Sequence, residues 1–510
     1  MAEENPRERF RLLVTTLVVA CVVGPGIIFV GDHAYSIYDD AYIYFRYVDN
    51  LFAGCGLRFN CSDSPVEGFT SPLYFMLLAV CRLATSNLEM VSQVLGPVFL
   101  FAALIAAAML PRRRALAGLE RSARIAIMVG SALLLGLDHV VLVNAVIGLE
   151  MGLAALVVAL LMGAVLDQDV RRTQVYLVLA ILARPECALF AVALPLLPWT
   201  RSRACYLPIA AAILVIVGIR LALFGDVVPN TYWAKAGGTM RHAELGWSYI
   251  EECVGLFPII WAAPLALLAA RARREITYFL VVALVWFAFF LRSGGDTFLY
   301  ARLAFPLIPV LTVVGLLGCH AVVEAVAART HGELGDRGRR ALALAVVLPV
   351  LWLGFRAHDQ HALPPSHGFA NVLRWAQVGH YLRKNHQGQT IATVPIGAIG
   401  YFSGLEVIDL VGLTQPAIAR SGNSVPAEML GRRWIAHERH DTDWVLQRAP
   451  DLIVSNKYAP RPWTLSGARS GFYAEWLLMR RIKEGRAPYQ VRNAEIIPGV
   501  YWLMFERVSP

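Results

Sequence analysis

The chain has 510 residues, of which 57% are hydrophobic and only 16% charged, with a formal net charge of +9 and a mean hydropathy of +0.54. A soluble domain carries roughly 25% charged residues. Here the apolar residues come in long uncharged runs, which excludes the disordered, fibrous and disulfide-scaffold classes, and the arginines lie between those runs as topology signals, not as a nucleic-acid surface. The composition is that of a polytopic α-helical membrane protein.

In chain order, residues 12–30 form the first apolar run, about as long as a bilayer-spanning helix needs, preceded by Arg7, Arg9 and Arg11. The run is too long for a signal-peptide core and no small-residue cleavage site precedes Asp32. It is read as a first span with a cytoplasmic N-terminus. Basic clusters follow at 112–114 with Arg121 and Arg124, at 171–172, at Arg201 and Arg203, at 271–274 and at 337–340. Placing all of them inside gives crossings at 123–143, 151–166, 204–224, 254–270, 276–291, 303–323 and 341–355. Residues 71–110 suffice for two passes but must make one net crossing, so part of them lies along the membrane. Residues 173–198 carry Arg184 and Glu186 midway and return to their starting side as two short helices. The total is about 11 spans of ~20 residues or slightly fewer.

This path divides the chain into a transmembrane module, 1–355, with a first periplasmic loop at 32–70, and a periplasmic α/β domain, 356–510. The membrane is then a bacterial inner membrane. Residues 226–252 and 292–302 are further outer segments. In the tail, Val372, Trp375, Val378 and Leu382 share one face of a helix over 371–385. Short apolar or alternating runs at 390–395, 405–410, 451–455 and 500–505, bounded by Gly, Pro and Asn, read as strands. The boundary falls near 356–365, where His and Pro accumulate.

Of eight cysteines, Cys55 and Cys61 lie six apart in the first outer loop, where an oxidising compartment allows a disulfide. The other six lie in or at the ends of apolar runs and read as packing residues. There is no zinc-ligand spacing. His358, His361, His367, His437 and His440 read as solvated polar surface. Tyr401, Trp434 and Trp444 either form an exposed stacking platform or pack in the tail's core.

The first outer loop carries the densest chemistry. Asp39 and Asp40 precede an aromatic stretch from Tyr42 to Tyr47, and Glu67 follows. Neighbouring acids at a membrane boundary have their pKa values driven apart, which suits a base or a metal ligand. The plainer alternative is an acidic loop paired with Arg46.

The order Asp39-Asp40, aromatic stretch, Gly54-x-Gly56-Leu-Arg-Phe-Asn60 and Glu67-Gly-Phe-Thr-Ser-Pro-Leu resembles the first periplasmic loop of GT-C glycosyltransferases. More narrowly, it is similar to the AftB-like branch of bacterial arabinofuranosyltransferases. The resemblance continues through Gly148-Leu-Glu150, Ala183-Arg184-Pro185-Glu186, Pro229-Asn230-Thr231-Tyr232 with Lys235, Gly294-Gly295-Asp296 with Arg302, and Asp409 to Pro416. It implies transfer of a sugar, arabinofuranose first, from a polyprenyl-phosphate donor to a glycan, lipid or protein acceptor on the outer side of the bilayer. Asp40 is then the expected base, with Asp39 as its near equal. Lys235, Arg302 and Arg184 are expected to hold the donor phosphate. Glu67, Glu150, Tyr42, Asn230 and Asp296 are expected at sugar or acceptor.

Each of these residues also has a bland reading. Lys235 and Arg302 can snorkel to the interface, Glu67 and Glu150 can cap helix starts, and Asp296 can form a turn. No cofactor is expected to be essential, although Asp39, Asp40 and Glu67 are a set that a divalent cation accepts. Where the AftB-like loop has Asp-Asp-Gly, this chain reads Asp39-Asp40-Ala41, so mannose and aminosugar donors stand beside arabinofuranose. Two other classes compete: a transporter or flippase for lipid-linked sugars, which would use intramembrane charges such as Arg184, and a non-catalytic envelope assembly protein.

Overall fold

The computed structural model describes residues 6–508 except 34–35, 236, 270–271, 298–299, 331–334, 336–337, 339–340, 346–347, 349–365, 432–433 and 436. The helical part runs α1 (Pro6–Asp32), α2 (Asp39–Phe52), α3 (Pro72–Arg82), α4 (Leu88–Ala108), α5 (Arg121–Gly136), α6 (His139–Val146) and α7 (Met151–Asp167). It continues with α8 (Val170–Ala183), α9 (Ala188–Ala193), α10 (Arg203–Phe224), α11 (Asn230–Ala234), α12 (Met240–Leu256), α13 (Arg273–Ser293) and α14 (Ile308–Arg329).

Among the described residues, five helices are long and apolar enough to cross a membrane: Phe10–Asp32, Leu88–Ala108, Arg203–Phe224, Arg273–Ser293 and Phe305–Arg329. The bent pairs α5–α6 and α12 with Pro258–Leu268 raise this to seven if each is one span, and Pro72–Arg82, Met151–Asp167 and Pro185–Leu196 are shorter apolar helices. The chain is a multi-pass membrane protein. α10 is peripheral, with Leu207 and Leu214 exposed as lipid-facing residues must be, whereas α14 is central and buried along most of its length.

The segment 254–270 departs from the continuous crossing expected of it. Pro258 and Pro264 each lack an N–H, so the α-helical ladder cannot run through them. The chain adopts a 3-10 helix, Pro258–Leu268, bent by 82° from α12. α12 in turn occupies residues read from the sequence as an outer segment. The 3-10 stretch lies so close to α14 that a Cβ on Gly318 would sit 1.9 Å from the Ala262 carbonyl oxygen. Glycine at that position permits the close approach. Of the expected crossing at 341–355, only 341–345 and 348 are described; the boundary at 356–365 lies outside the described residues.

The tail contains α15 (Ser366–Asn385), α16 (Ile396–Ser403), α17 (Pro416–Ala419), α18 (Thr442–Gln447) and α19 (Tyr473–Lys483). Its strands are β1 (Thr390–Thr393), β2 (Glu406–Asp409), β3 (Leu452–Ala459), β4 (Tyr489–Ile497) and β5 (Val500–Arg507), in the order β2-β1-β3-β5-β4. β1 is parallel to β2 and β3, while β5 is antiparallel to β3 and β4. β4, absent from the sequence reading, is an edge strand in which Tyr489 and Ala494 are buried while Gln490 and Asn493 are exposed.

α2 is gripped between the bundle and the tail, with every residue from Ala41 to Val48 buried. Arg46 does most of the joining. Its Nε donates to the Phe59 carbonyl (2.7 Å), Nη1 to Gly400 (2.6 Å), and Nη2 to Leu405 (2.6 Å) and Asn60 Oδ1 (3.0 Å). Asn60 completes the edge of β2, donating to the Val407 carbonyl at 2.8 Å and accepting its N–H at 3.0 Å. The Cys55–Cys61 disulfide closes the loop that presents Asn60.

Candidate active site

The ends of several elements converge on one cleft between the bundle and the tail. Asp40 enters from the first turn of α2, Glu150 from just before α7, and Arg184 from the end of α8. Lys235 follows α11, and Asp296 and Arg302 come from the loop joining α13 to α14. Gly148 makes the Glu150 turn possible. Its φ of +75° belongs to the region glycine tolerates, and a Cβ there would meet Ile37 at 3.0 Å and Ala41 at 3.2 Å beneath α2.

The charges are ordered. Arg302 donates from Nε to Asp296 Oδ2 (2.9 Å), from Nη2 to Asp296 Oδ1 (3.4 Å), and from Nη1 to Asp40 Oδ2 (2.9 Å). Two consecutive left-handed residues, Tyr300 (φ +74°) and Ala301 (φ +52°), aim Arg302 inward. Asp40 keeps 32% of its side chain exposed, and among the described residues its Oδ1 accepts no hydrogen bond. Arg184 donates to Glu150 (2.9 Å) and, through Nη2 and Nε, to both oxygens of Glu186 (2.7 and 3.2 Å). Tyr44 donates to the other Glu150 oxygen at 3.4 Å and accepts the Ser71 N–H at 3.0 Å.

Lys235 differs from the arginines. Among the described residues it forms no ion pair, and burial together with the Arg302 charge pulls its pKa below the ordinary lysine value, against the attraction of Asp296 and Asp40. The lining thus holds three carboxylates (Asp40, Glu150, Asp296) and three cations (Arg184, Lys235, Arg302), with the lysine uncommitted.

The remaining residues singled out from the sequence lie elsewhere. Asp39 accepts the N–H groups of Gly397 (3.0 Å) and Ala398 (2.7 Å) at the start of α16, and burial raises its carboxyl to about 7. Glu67 takes both donors of Arg220 at 2.9 and 3.2 Å, with 2% of its side chain exposed. Tyr42 donates to Glu89 at 2.6 Å and its ring lies 5.6 Å from Tyr401. Asn230 donates to the carbonyls of Gly412 and Leu413 at 2.8 and 2.9 Å, tying the tail to the bundle. Asp39, Asp40 and Glu67 therefore diverge. Among the described residues no group of three His, Cys, Asp or Glu side chains could hold a metal ion.

His437 corrects the reading of the tail histidines as solvated surface. It lines the cleft, burial holds its imidazole below the usual histidine range, and its Nδ1 lies 3.2 Å from the Ile435 carbonyl. Tyr44, Thr231 and Leu413, which the sequence reading places in motif runs without a site role, also line the cleft. Arg220 was missed as well, although a lone arginine inside the apolar run 204–224 was itself a signal.

Helices, cleft and C-terminal sheet together form a fold that a solved structure shares. The chain superposes on ArnT from Cupriavidus metallidurans bound to undecaprenyl phosphate with a TM-score of 0.52 at 13% identity, covering 96% of this chain and 97% of that one. The apo form of the same ArnT gives 0.47 at 14% identity, over 92% and 93%. A family model described as a domain of unknown function (DUF8728) matches residues 367–493, from α15 into β4. The comparison with curated proteins finds no match.

Proposed function

We propose that this protein transfers a glycosyl group from a polyprenyl-phosphate donor to an acceptor hydroxyl in the cleft. The observation that carries the reading is the juxtaposition, in one partly open site, of a carboxylate with an open oxygen, Asp40, and an uncommitted ammonium, Lys235. Asp40 Oδ1 takes the acceptor proton as the acceptor oxygen bonds to the anomeric carbon. The bond from that carbon to the phosphate oxygen breaks, and its electron pair leaves on the lipid phosphate. Lys235 meets the developing charge, with Arg302 and Arg184 held ready by their carboxylate partners. These cations suit a phosphate leaving group without an essential metal. Glu150 and Asp296 fix the arginines and face the sugar.

The fold, shared with a protein crystallised on undecaprenyl phosphate, supports the donor class. The sugar proposed first is arabinofuranose, on the resemblance of the first loop and the 409–416 segment to AftB-like enzymes; mannose and aminosugars are the alternatives. A periplasmic cleft in a bacterial inner membrane is supported by the arginine pattern and by the Cys55–Cys61 disulfide, which belongs in an oxidising compartment. The acceptor is a glycan, lipid or protein of that compartment.

The test is transfer by the purified full chain from synthetic polyprenyl-phosphate arabinofuranose, mannose and an aminosugar, with and without chelator, read as released polyprenyl phosphate and new glycan by mass spectrometry. Turnover of one donor supports the reading and identifies the sugar. Loss on chelation would put a metal in the site. No turnover of any donor by protein that still binds the lipid would overturn the transferase reading in favour of a transporter.

A further inference from the structure

A second charged cavity lies at the opposite end of the bundle. It is lined by Arg11, Arg112, Arg121 and Arg124, with Val14, Ile125 and Met128 as apolar wall, and encloses about 520 Å³. Span Phe10–Asp32 has 23 residues. At 1.5 Å per residue it is ~35 Å long, so its N-terminal end is a bilayer's thickness from the cleft that follows its C-terminal end.

Among the described residues none of these four arginines meets a carboxylate, whereas their neighbour Arg113 pairs with Asp167 at 3.0 Å. Three of them are held by neutral groups. Arg112 donates to Thr15 Oγ1 (3.0 Å) and the Arg11 carbonyl (3.3 Å), and Arg124 to the carbonyls of Ala117 (2.6 Å) and Leu119 (2.9 Å). Arg121 sits 3.8 Å over the Phe10 ring. Arg124 Nε is buried and has no hydrogen-bond partner among the described residues. Topology alone asks only that arginines be on one side of the membrane. It does not ask that four converge on one apolar-walled cavity with no carboxylate partner among the described residues, where each repels the others.

We propose that this cavity binds the phosphate of an anionic phospholipid headgroup, its acyl chains passing from the cavity mouth into the bilayer beside α1 and α5. A basic pocket between spanning helices has this chemistry. The assignment is independent of the transferase reading.

The test uses full-length protein in uncharged detergent, titrated separately with phosphatidylglycerol, phosphatidylcholine and sodium phosphate, with bound lipid counted by native mass spectrometry. Phosphatidylglycerol is expected to bind in preference to phosphatidylcholine. Arg112→Gln with Arg124→Gln should weaken it about thirtyfold, from roughly fivefold per basic residue. The same charge loss at Arg171→Gln with Arg172→Gln, outside the cavity, should leave binding unchanged. If the first double variant does not fold, Arg121→Gln alone should cost about fivefold. Displacement of the lipid by equimolar sodium phosphate would keep the phosphate site but make its ligand a soluble anion. Equal binding of both lipids, or equal loss in both double variants, would overturn the proposal.

Discussion

Asp39 and Asp40 are consecutive, yet their carboxylates serve different neighbours: Asp39 accepts two backbone N–H groups at the start of α16, and Asp40 is held by Arg302 with one oxygen open to the cleft. One residue thus docks the tail while the next faces the cleft. The separation rests on α2 being buried along both sides, so that adjacent positions meet different elements.

The buried Asp39 carboxyl should leave a pH signature in stability. Its folded pKa is about 7 against an ordinary 3.8, raised first by burial. The folded state therefore holds the proton more tightly, and this contribution to stability is full below about pH 4 and is lost as pH rises towards 7. Asp39→Asn should flatten the fall in thermal midpoint over that window. An unchanged slope would contradict the assignment.

Lys235→Ala should lower kcat and kcat/KM by tenfold or more, with a smaller rise in KM for the part of the phosphate contact that is already made in the ground state. Because its pKa is lowered, the wild-type kcat/KM should fall on the alkaline side at a pH below that of an ordinary lysine. Lys235→Arg should restore activity there, since guanidinium keeps its proton. Pre-steady-state donor binding across pH reads this directly.

Arg46→Met would remove the four hydrogen bonds that tie the Phe59, Gly400 and Leu405 carbonyls and the Asn60 side chain together at the junction of first loop and tail. The expected loss is about 3–5 kcal/mol of unfolding free energy, seen as tail proteolysis before the bundle unfolds.

Glu67→Gln would leave Arg220 without its counter-charge on α10. Unfolding free energy should drop by about 3–5 kcal/mol, while KM values measured for transfer stay within twofold. A raised acceptor KM at normal stability would instead place Glu67 at the substrate.

Much of this architecture was legible because apolar runs and arginine clusters report directly on a bilayer, and β1, β2, β3 and β5 fall on the runs at 390–395, 405–410, 451–455 and 500–505. β4 was not, since an edge strand carrying Gln490, Arg492, Asn493 and Glu495 has little apolar alternation to show. The loop acids could be found, but not their division of labour. Which of Asp39 and Asp40 meets a helix start depends on a contact with Gly397, more than 350 residues away in the chain. The same is true of His437, which is an ordinary polar tail residue until the tail folds over the cleft.

The most direct measurement compares wild type, Asp40→Asn and Asp39→Asn for transfer from the active polyprenyl-phosphate sugar, with donor binding measured in parallel. Asp40→Asn is expected to lose at least a hundredfold in kcat, the scale of a positioned base, with the donor still bound, while Asp39→Asn stays within a few fold. Asp39→Asn losing transfer while Asp40→Asn retains it would contradict Asp40 as the base.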